Sequence, residues 1–353
     1  MFVYKSRRAH ILRSNSTLRY GIMALDKAKP DGRKPLLTNP LHVSLLGATS
    51  LAACGGGGSS PSAQGPVEED AAPAVTLSGH VIKGPLSNAL VFADLDGDGA
   101  LDPGEPFQRT GADGAFSLSA PSEGAAVVAL TDAGTVDTLT GTTLSGLTLT
   151  APAGASVISP LTTIMAEANL SAAEVTAAFG LPAIDPATFN PFESEDAEAA
   201  LAVEIAAHQL ANTLRGVSAA IRGSGSPEAE ANSLALGAVG KSVAEAIRRG
   251  PVDLADAGFI QGAFTNAADQ LEGAARAAVL ALEQEGARAV ANVNEITARV
   301  SDLASGQSKA VFGLGNALSD QLEAAGAEGG DAGAITFANA AALEEALAQL
   351  IEN

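Results

Sequence analysis

Tryptophan is absent from the 353 residues, and the only two tyrosines, Tyr4 and Tyr20, stand near the start. Beyond them phenylalanine is the sole aromatic. Sugar-stacking platforms and aromatic anchoring surfaces draw on Tyr and Trp, so carbohydrate binding by ring stacking is disfavoured. One cysteine, Cys54, leaves no partner for an intrachain disulfide. Stability must therefore come from packing and, where the chain supplies ligands, from metal. Only His80 and His208 lie beyond Cys54, and neither has a motif partner. The chain also lacks GxSxG, HExxH, CxxC and a phosphate-cradling glycine loop; "RGSGSPE" (222–228) has no lysine and no preceding strand, and reads as a linker between helices. Catalysis finds little support.

Positive charge is scarce as well. The chain has 20 Lys and Arg against 40 Asp and Glu, and nine of the basic residues but only two of the acidic ones precede Cys54. The 300 residues from Cys54 onward thus hold 11 basic and 38 acidic groups, a net charge of −27. Such a surface repels nucleic acid and anionic headgroups and attracts cations. Nucleic-acid binding is excluded.

The one notable apolar run, Leu41 to Ala53, is too short to cross a bilayer as a helix. It ends in small residues and "LAAC" (Leu51, Ala52, Ala53, Cys54), followed by "GGGGSS". This order resembles the signal peptide and lipobox of bacterial lipoproteins. The resemblance implies cleavage before Cys54, a diacylglyceryl group on its thiol and acylation of the new amine. Several acyl chains on one residue give a stable membrane anchor. Met23, followed by Lys27, Lys29, Arg33 and Lys34, makes a more usual start than Met1. Gly55 follows the cysteine in place of the aspartate that retains such proteins in the inner membrane, which implies the outer membrane or cell surface.

Composition divides the rest. Residues 1–53 read as the signal peptide and 54–74 as the lipidated cysteine and a flexible polar linker. Residues 75–152 are rich in Val, Thr, Leu and Gly, with short strand patterns such as "NALVF", "PFQRT" and "AFSLSA" set between turns, "GADG" (111–114) among them. This predicts a small antiparallel β-sandwich. Residues 153–353 are alanine-rich and helical. Ser159 and Ser171 read as N-caps, Ser226 as a third, and 193–223 as a long amphipathic helix with acids first and arginines last. Further helical patterns cover 264–304, 308–325 and 337–351. The fold class is therefore α+β multidomain: a sandwich, then an all-α helical bundle.

Within the sandwich region, "DLDGDGALDPGE" starts at Asp94. Asp94, Asp96 and Asp98 occupy positions 1, 3 and 5 of an EF-hand-like loop. Gly99 stands at 6, Ala100 offers its carbonyl at 7, Leu101 points inward at 8, Asp102 is at 9 and Glu105 at 12. Calcium takes six to eight hard oxygens, which alternating aspartates and a closing glutamate can supply. Five carboxylates this close repel one another without a cation, whereas a merely solvated acidic turn needs neither Gly99 nor the fixed spacing. Strands tied into a sheet do not hinge as paired helices do, so this loop is expected to hold structural Ca2+ rather than to sense it.

"GPLSNALVFADLDGDGALDPGEPFQRTGADGAFSL" resembles the SdrD B-like (Cna B-type) sandwich domains of bacterial surface adhesins, which carry a similar acidic loop between strands and a "T-x-x-D-G-x-F/Y" turn, here Thr110, Asp113, Gly114 and Phe116. The resemblance implies calcium in the loop, with Asp113 a further ligand. It covers about 50 residues, and the helical C-terminal region departs from it. Together these features point to a lipid-anchored cell-envelope protein with an unidentified protein partner, serving adhesion, binding or scaffolding rather than catalysis. Two rivals are an envelope hydrolase built from scattered carboxylates and a carrier of an apolar ligand among the helices.

Overall fold

The computed structural model describes residues 74–352 apart from Glu123; the expected signal peptide (1–53), Cys54 and the expected linker up to residue 73 lie outside the described residues. Ten strands come first: β1 (Val75–Val81), β2 (Leu86–Ser87), β3 (Leu90–Asp94), β4 (Phe107–Arg109), β5 (Ala115–Ala120), β6 (Ala126–Leu130), β7 (Val136–Asp137), β8 (Thr142–Thr143), β9 (Thr148–Ala151) and β10 (Val157–Ile158). They form three small sheets ordered β4-β3-β6-β9, β10-β1-β5 and β2-β7-β8. All neighbours are antiparallel except β1 and β10.

Period-two alternation sets the faces. In β5, Phe116, Leu118 and Ala120 turn inward while Ser117 and Ser119 face water. The registers Val91↔Ala129, Ala93↔Val127 and Ala129↔Leu149 put one apolar face of the four-stranded sheet into the core. The outer edge of β9 is closed by a helix. The Thr150 N–H donates to Thr163 Oγ1 at 2.9 Å, and the hydroxyls of Thr162 and Thr163 donate to the Thr150 carbonyl at 3.0 and 3.2 Å. An edge satisfied in this way offers no ladder to another chain.

The helices are α1 (Pro160–Glu167), α2 (Ala172–Ala178), α3 (Ala197–Gly223), α4 (Glu228–Ile247), α5 (Ala257–Ala268), α6 (Gly273–Thr297), α7 (Gly306–Ala327) and α8 (Ala340–Glu352), with short 3-10 turns at 332–334 and 336–338. Ser159 and Ser171 each complete a capping box, with Thr162 and Glu174 as partners. Ser226 does not cap α4. Its N–H donates to the Ile221 carbonyl, part of the turn that closes α3, so Pro227 takes the N-cap place with no side-chain hydrogen bond.

α3 is the axis of the helical part, with 20 of its 27 residues buried and contacts to α1, α4, α5, α6 and α7. At its end it meets α7 so closely that a Cβ on Gly223 would lie 2.1 Å from the Glu323 carbonyl oxygen; only glycine permits that approach. The result is a mixed α+β fold of small, mainly antiparallel sheets and helices. One apolar core runs through both parts, from Val91, Val127 and Leu149 through Leu161 and Ile164 to Leu210, Leu214 and Val290. Among the described residues no helix is long and apolar enough to cross a membrane.

Candidate metal site

Asp94 is the last residue of β3 and Phe107 the first of β4, so the acidic connection hangs from the end of the four-stranded sheet. Ladder bonding persists one step past β4, where Ala93 N–H donates to the Pro106 carbonyl at 3.0 Å. Both ends of the loop are thereby brought together. Asp94 and Glu105 are buried, while Asp96, Asp98 and Asp102 are exposed.

The backbone folds around these carboxylates. Asp94 Oδ1 accepts from Gly97 N at 2.7 Å and its Oδ2 from Gly99 N at 3.0 Å. Gly97 and Gly99 have φ of +82° and +76°, a conformation that L side chains rarely adopt. Asp96 Oδ1 accepts from Asp98 N, and Asp98 Oδ1 from Ala100 N at 2.7 Å. Glu105 reaches back with both oxygens, accepting from Leu95 N at 2.7 Å and Asp102 N at 2.9 Å. The carboxylates of Asp94, Asp96, Asp98 and Glu105 are thus each held in place by an amide of the loop itself.

Asp94, Asp96 and Asp98 each bring one carboxylate oxygen to a common place, all within 4.8 Å of one another. Two oxygens on opposite sides of an ion with bonds of 2.3–2.6 Å are about 5 Å apart, so this cluster could hold one metal ion. Asp102 stands outside the triad but within its field. Its carboxyl is raised from the ordinary range mainly by the charge of Asp98, with slight burial and then Asp96, Glu105 and Asp94 adding. Ala100 is exposed and Leu101 half-buried. Asp113 is not drawn in: it sits in the turn between β4 and β5, accepts from Ala115 N at 3.1 Å, and is held below the ordinary carboxylate range first by that N–H. Cys54 lies outside the described residues.

A second polar cluster, absent from the sequence reading, lies where the strands meet α3. Lys83 Nζ pairs with Asp137 Oδ2 at 3.1 Å, both side chains almost fully buried. Glu204, with no exposed surface, accepts from the Gly84 N–H. One turn on, His208 Nδ1 faces the Glu204 carbonyl at 2.9 Å and Glu204 Oε1 at 3.3 Å, and its ring stacks on Phe312 at 3.7 Å. Among the described residues, Glu204 Oε2 and His208 Nε2 have no hydrogen-bond partner. Burial pushes the Glu204 carboxyl up to about 7 against the pull of the Gly84 N–H, and pushes the His208 imidazole well below its ordinary range, with the Lys83 charge adding. Glu204 is therefore proton-bearing below neutrality and His208 neutral. The i, i+4 spacing in "EIAAH" was the signal available in the sequence; an alanine-rich amphipathic pattern hid it. His80 stays near the surface, with Nε2 3.5 Å from Glu193 Oε1.

Comparison of the chain with protein-family models, with curated proteins and with solved structures finds no match.

Proposed function

We propose that this chain is a lipid-anchored protein of the bacterial cell envelope whose strand-rich part is a sandwich braced by one structural Ca2+, and that it serves binding or scaffolding rather than catalysis. The observation that carries the proposal is the convergence of Asp94, Asp96 and Asp98 within a loop whose two ends are tied to neighbouring strands. All donors are hard oxygens, which suits calcium; magnesium demands a smaller octahedral site and gives up its waters reluctantly. Asp94, Asp96, Asp98, the Ala100 carbonyl, Asp102 and Glu105 are the proposed ligands. Ion binding neutralises repelling carboxylates and holds the connection between β3 and β4, whose ordering would otherwise cost conformational entropy. Calcium is plentiful outside cells, so a site of modest affinity stays filled.

The anchor rests on the resemblance of "LAAC" to a lipobox, and the sandwich on the resemblance to SdrD B-like domains. A hydrolase gains little from the geometry. Among the described residues the carboxyl moved far upward, that of Glu204, is sealed from solvent, and a catalytic carboxyl must reach its substrate.

The test is thermal. Excess EDTA should lower the melting temperature of the chain from Gly55 onward, and calcium added beyond the chelator should restore it. A melt indifferent to both removes calcium from the proposal.

A further inference from the structure

Beside the acidic loop lies a groove of about 920 Å³. Its floor is the outer face of the four-stranded sheet, where Leu90, Val128 and Leu130 line it. Its walls are the end of α1 at Glu167, the start of α4 at Glu228, and the loop itself. Five carboxylates line the groove and no Lys, Arg or His does. Three of the five are committed: Asp94 and Asp98 to the candidate metal site, and Asp132 to Arg109 at 2.6 Å.

Neither Glu167 nor Glu228 has an ion pair or side-chain hydrogen bond among the described residues, although Arg222 neighbours Glu228: a Cβ on Gly146 would lie 2.9 Å from Arg222 Nη1 and 3.3 Å from Glu228 Oε1. Glu167 is the last residue of α1, where the helix dipole disfavours negative charge. Glu167 is exposed; partial burial raises its carboxyl above the ordinary range, and its side chain lies so close to α4 that a Cβ on Gly240 would be 2.5 Å from Glu167 Cγ. Exposed carboxylates beside an apolar floor suit a cation with an apolar body.

We propose that this groove binds a cationic amphipathic peptide segment in extended form. Its apolar side chains rest on Leu90, Val128 and Leu130, and its Lys or Arg side chains meet Glu167 and Glu228. Extended chains send alternate side chains to opposite sides, which serves a floor and a rim at once. Charge excludes other occupants. The chain's own tether (54–74) has Glu68, Glu69 and Asp70 and no basic residue, and a second copy brings the same large negative charge; an anionic lipid surface is repelled likewise. The proposal rests on the chain being a binding protein, and is independent of which metal fills the loop.

The experiment is fluorescence anisotropy with a dye-labelled octapeptide of alternating leucine and lysine, titrated with the chain from Gly55 onward at saturating calcium. Saturable binding is expected, weakened at least about tenfold when glycine replaces leucine in the peptide. The pair Glu167→Lys with Glu228→Gln should weaken it about as much. The pair Glu345→Lys with Glu352→Gln changes net charge equally on α8, which does not line the groove, and should alter affinity less than about threefold, as exposed charges away from a contact do. Circular dichroism checks that each variant folds, and calorimetry that it still binds calcium. Equal loss in both variant pairs, equal binding of the glycine peptide, or no saturable binding by a chain that still takes up calcium overturns the groove proposal and leaves the metal proposal standing.

Discussion

Replacing Glu204 with glutamine isolates the buried cluster. The folded-state value near 7 lies about two and a half pH units above the ordinary 4.5. Between these values an unfolded chain releases the proton while the folded chain keeps it, so the folded state binds more protons and stability falls as pH rises. At about 1.4 kcal/mol per pH unit, the loss reaches about 3 kcal/mol above pH 7. Below pH 4.5 it vanishes. Glutamine keeps a carbonyl to accept from the Gly84 N–H and cannot ionise, so Glu204→Gln should abolish this loss. Its amide places an N–H₂ where Oε2 has no partner, which costs about 1–3 kcal/mol at every pH. Urea unfolding followed by circular dichroism, with wild type and variant at each pH, cancels the other titrating groups. Relative to wild type, the variant should gain about 2 to 3 kcal/mol between pH 5 and pH 8. A difference that stays constant across that range would refute the reasoning, because Glu204 would then not be exchanging its proton there.

Three further perturbations act elsewhere. Lys83→Met leaves Asp137 as an uncompensated buried charge and should destabilise by about 3–5 kcal/mol, read as a lower urea midpoint at an unchanged slope. Gly223→Ala drives a methyl group into the Glu323 carbonyl and should lower the midpoint by more than the helix propensity of alanine raises it; a stabilised variant would show that α3 and α7 are not so closely apposed. Cys54→Ser should move the protein from the membrane fraction to the soluble fraction on fractionation of expressing cells, whereas retention with the membranes would rule out lipidation as the tether.

Much of the local structure is legible in the sequence because it is decided locally. The strands flanking the acidic loop were expected from "NALVF" and "PFQRT" and form as β3 and β4. The turn read at "GADG" forms between β4 and β5, with Gly114 at φ +81°, and the serine caps of α1 and α2 are present. Alanine-rich periodicity conceals breaks, however. The pattern read as one helix over 264–304 is α5 and α6, separated at residues 269–272 with Gly273 at φ +56°. Alanine suits a helix everywhere and marks neither its ends nor its partners. β10 was invisible for another reason, since a two-residue strand pairing with β1 from 77 residues away has no local signature. The loop carboxylates could be listed from their spacing, but the Lys83, Asp137 and Glu204 cluster depends on tertiary contacts more than 50 residues apart. No periodicity reports those.

The most direct measurement is calorimetric titration of calcium into the metal-stripped chain from Gly55 onward. One calcium per chain should bind saturably, and binding should be lost in the Asp96→Asn, Asp98→Asn double variant, whose two positions are exposed and leave the bonds of Asp94 to Gly97 and Gly99 in place. No saturable heat, or the same isotherm from the double variant, would contradict the view that these carboxylates are gathered around an ion.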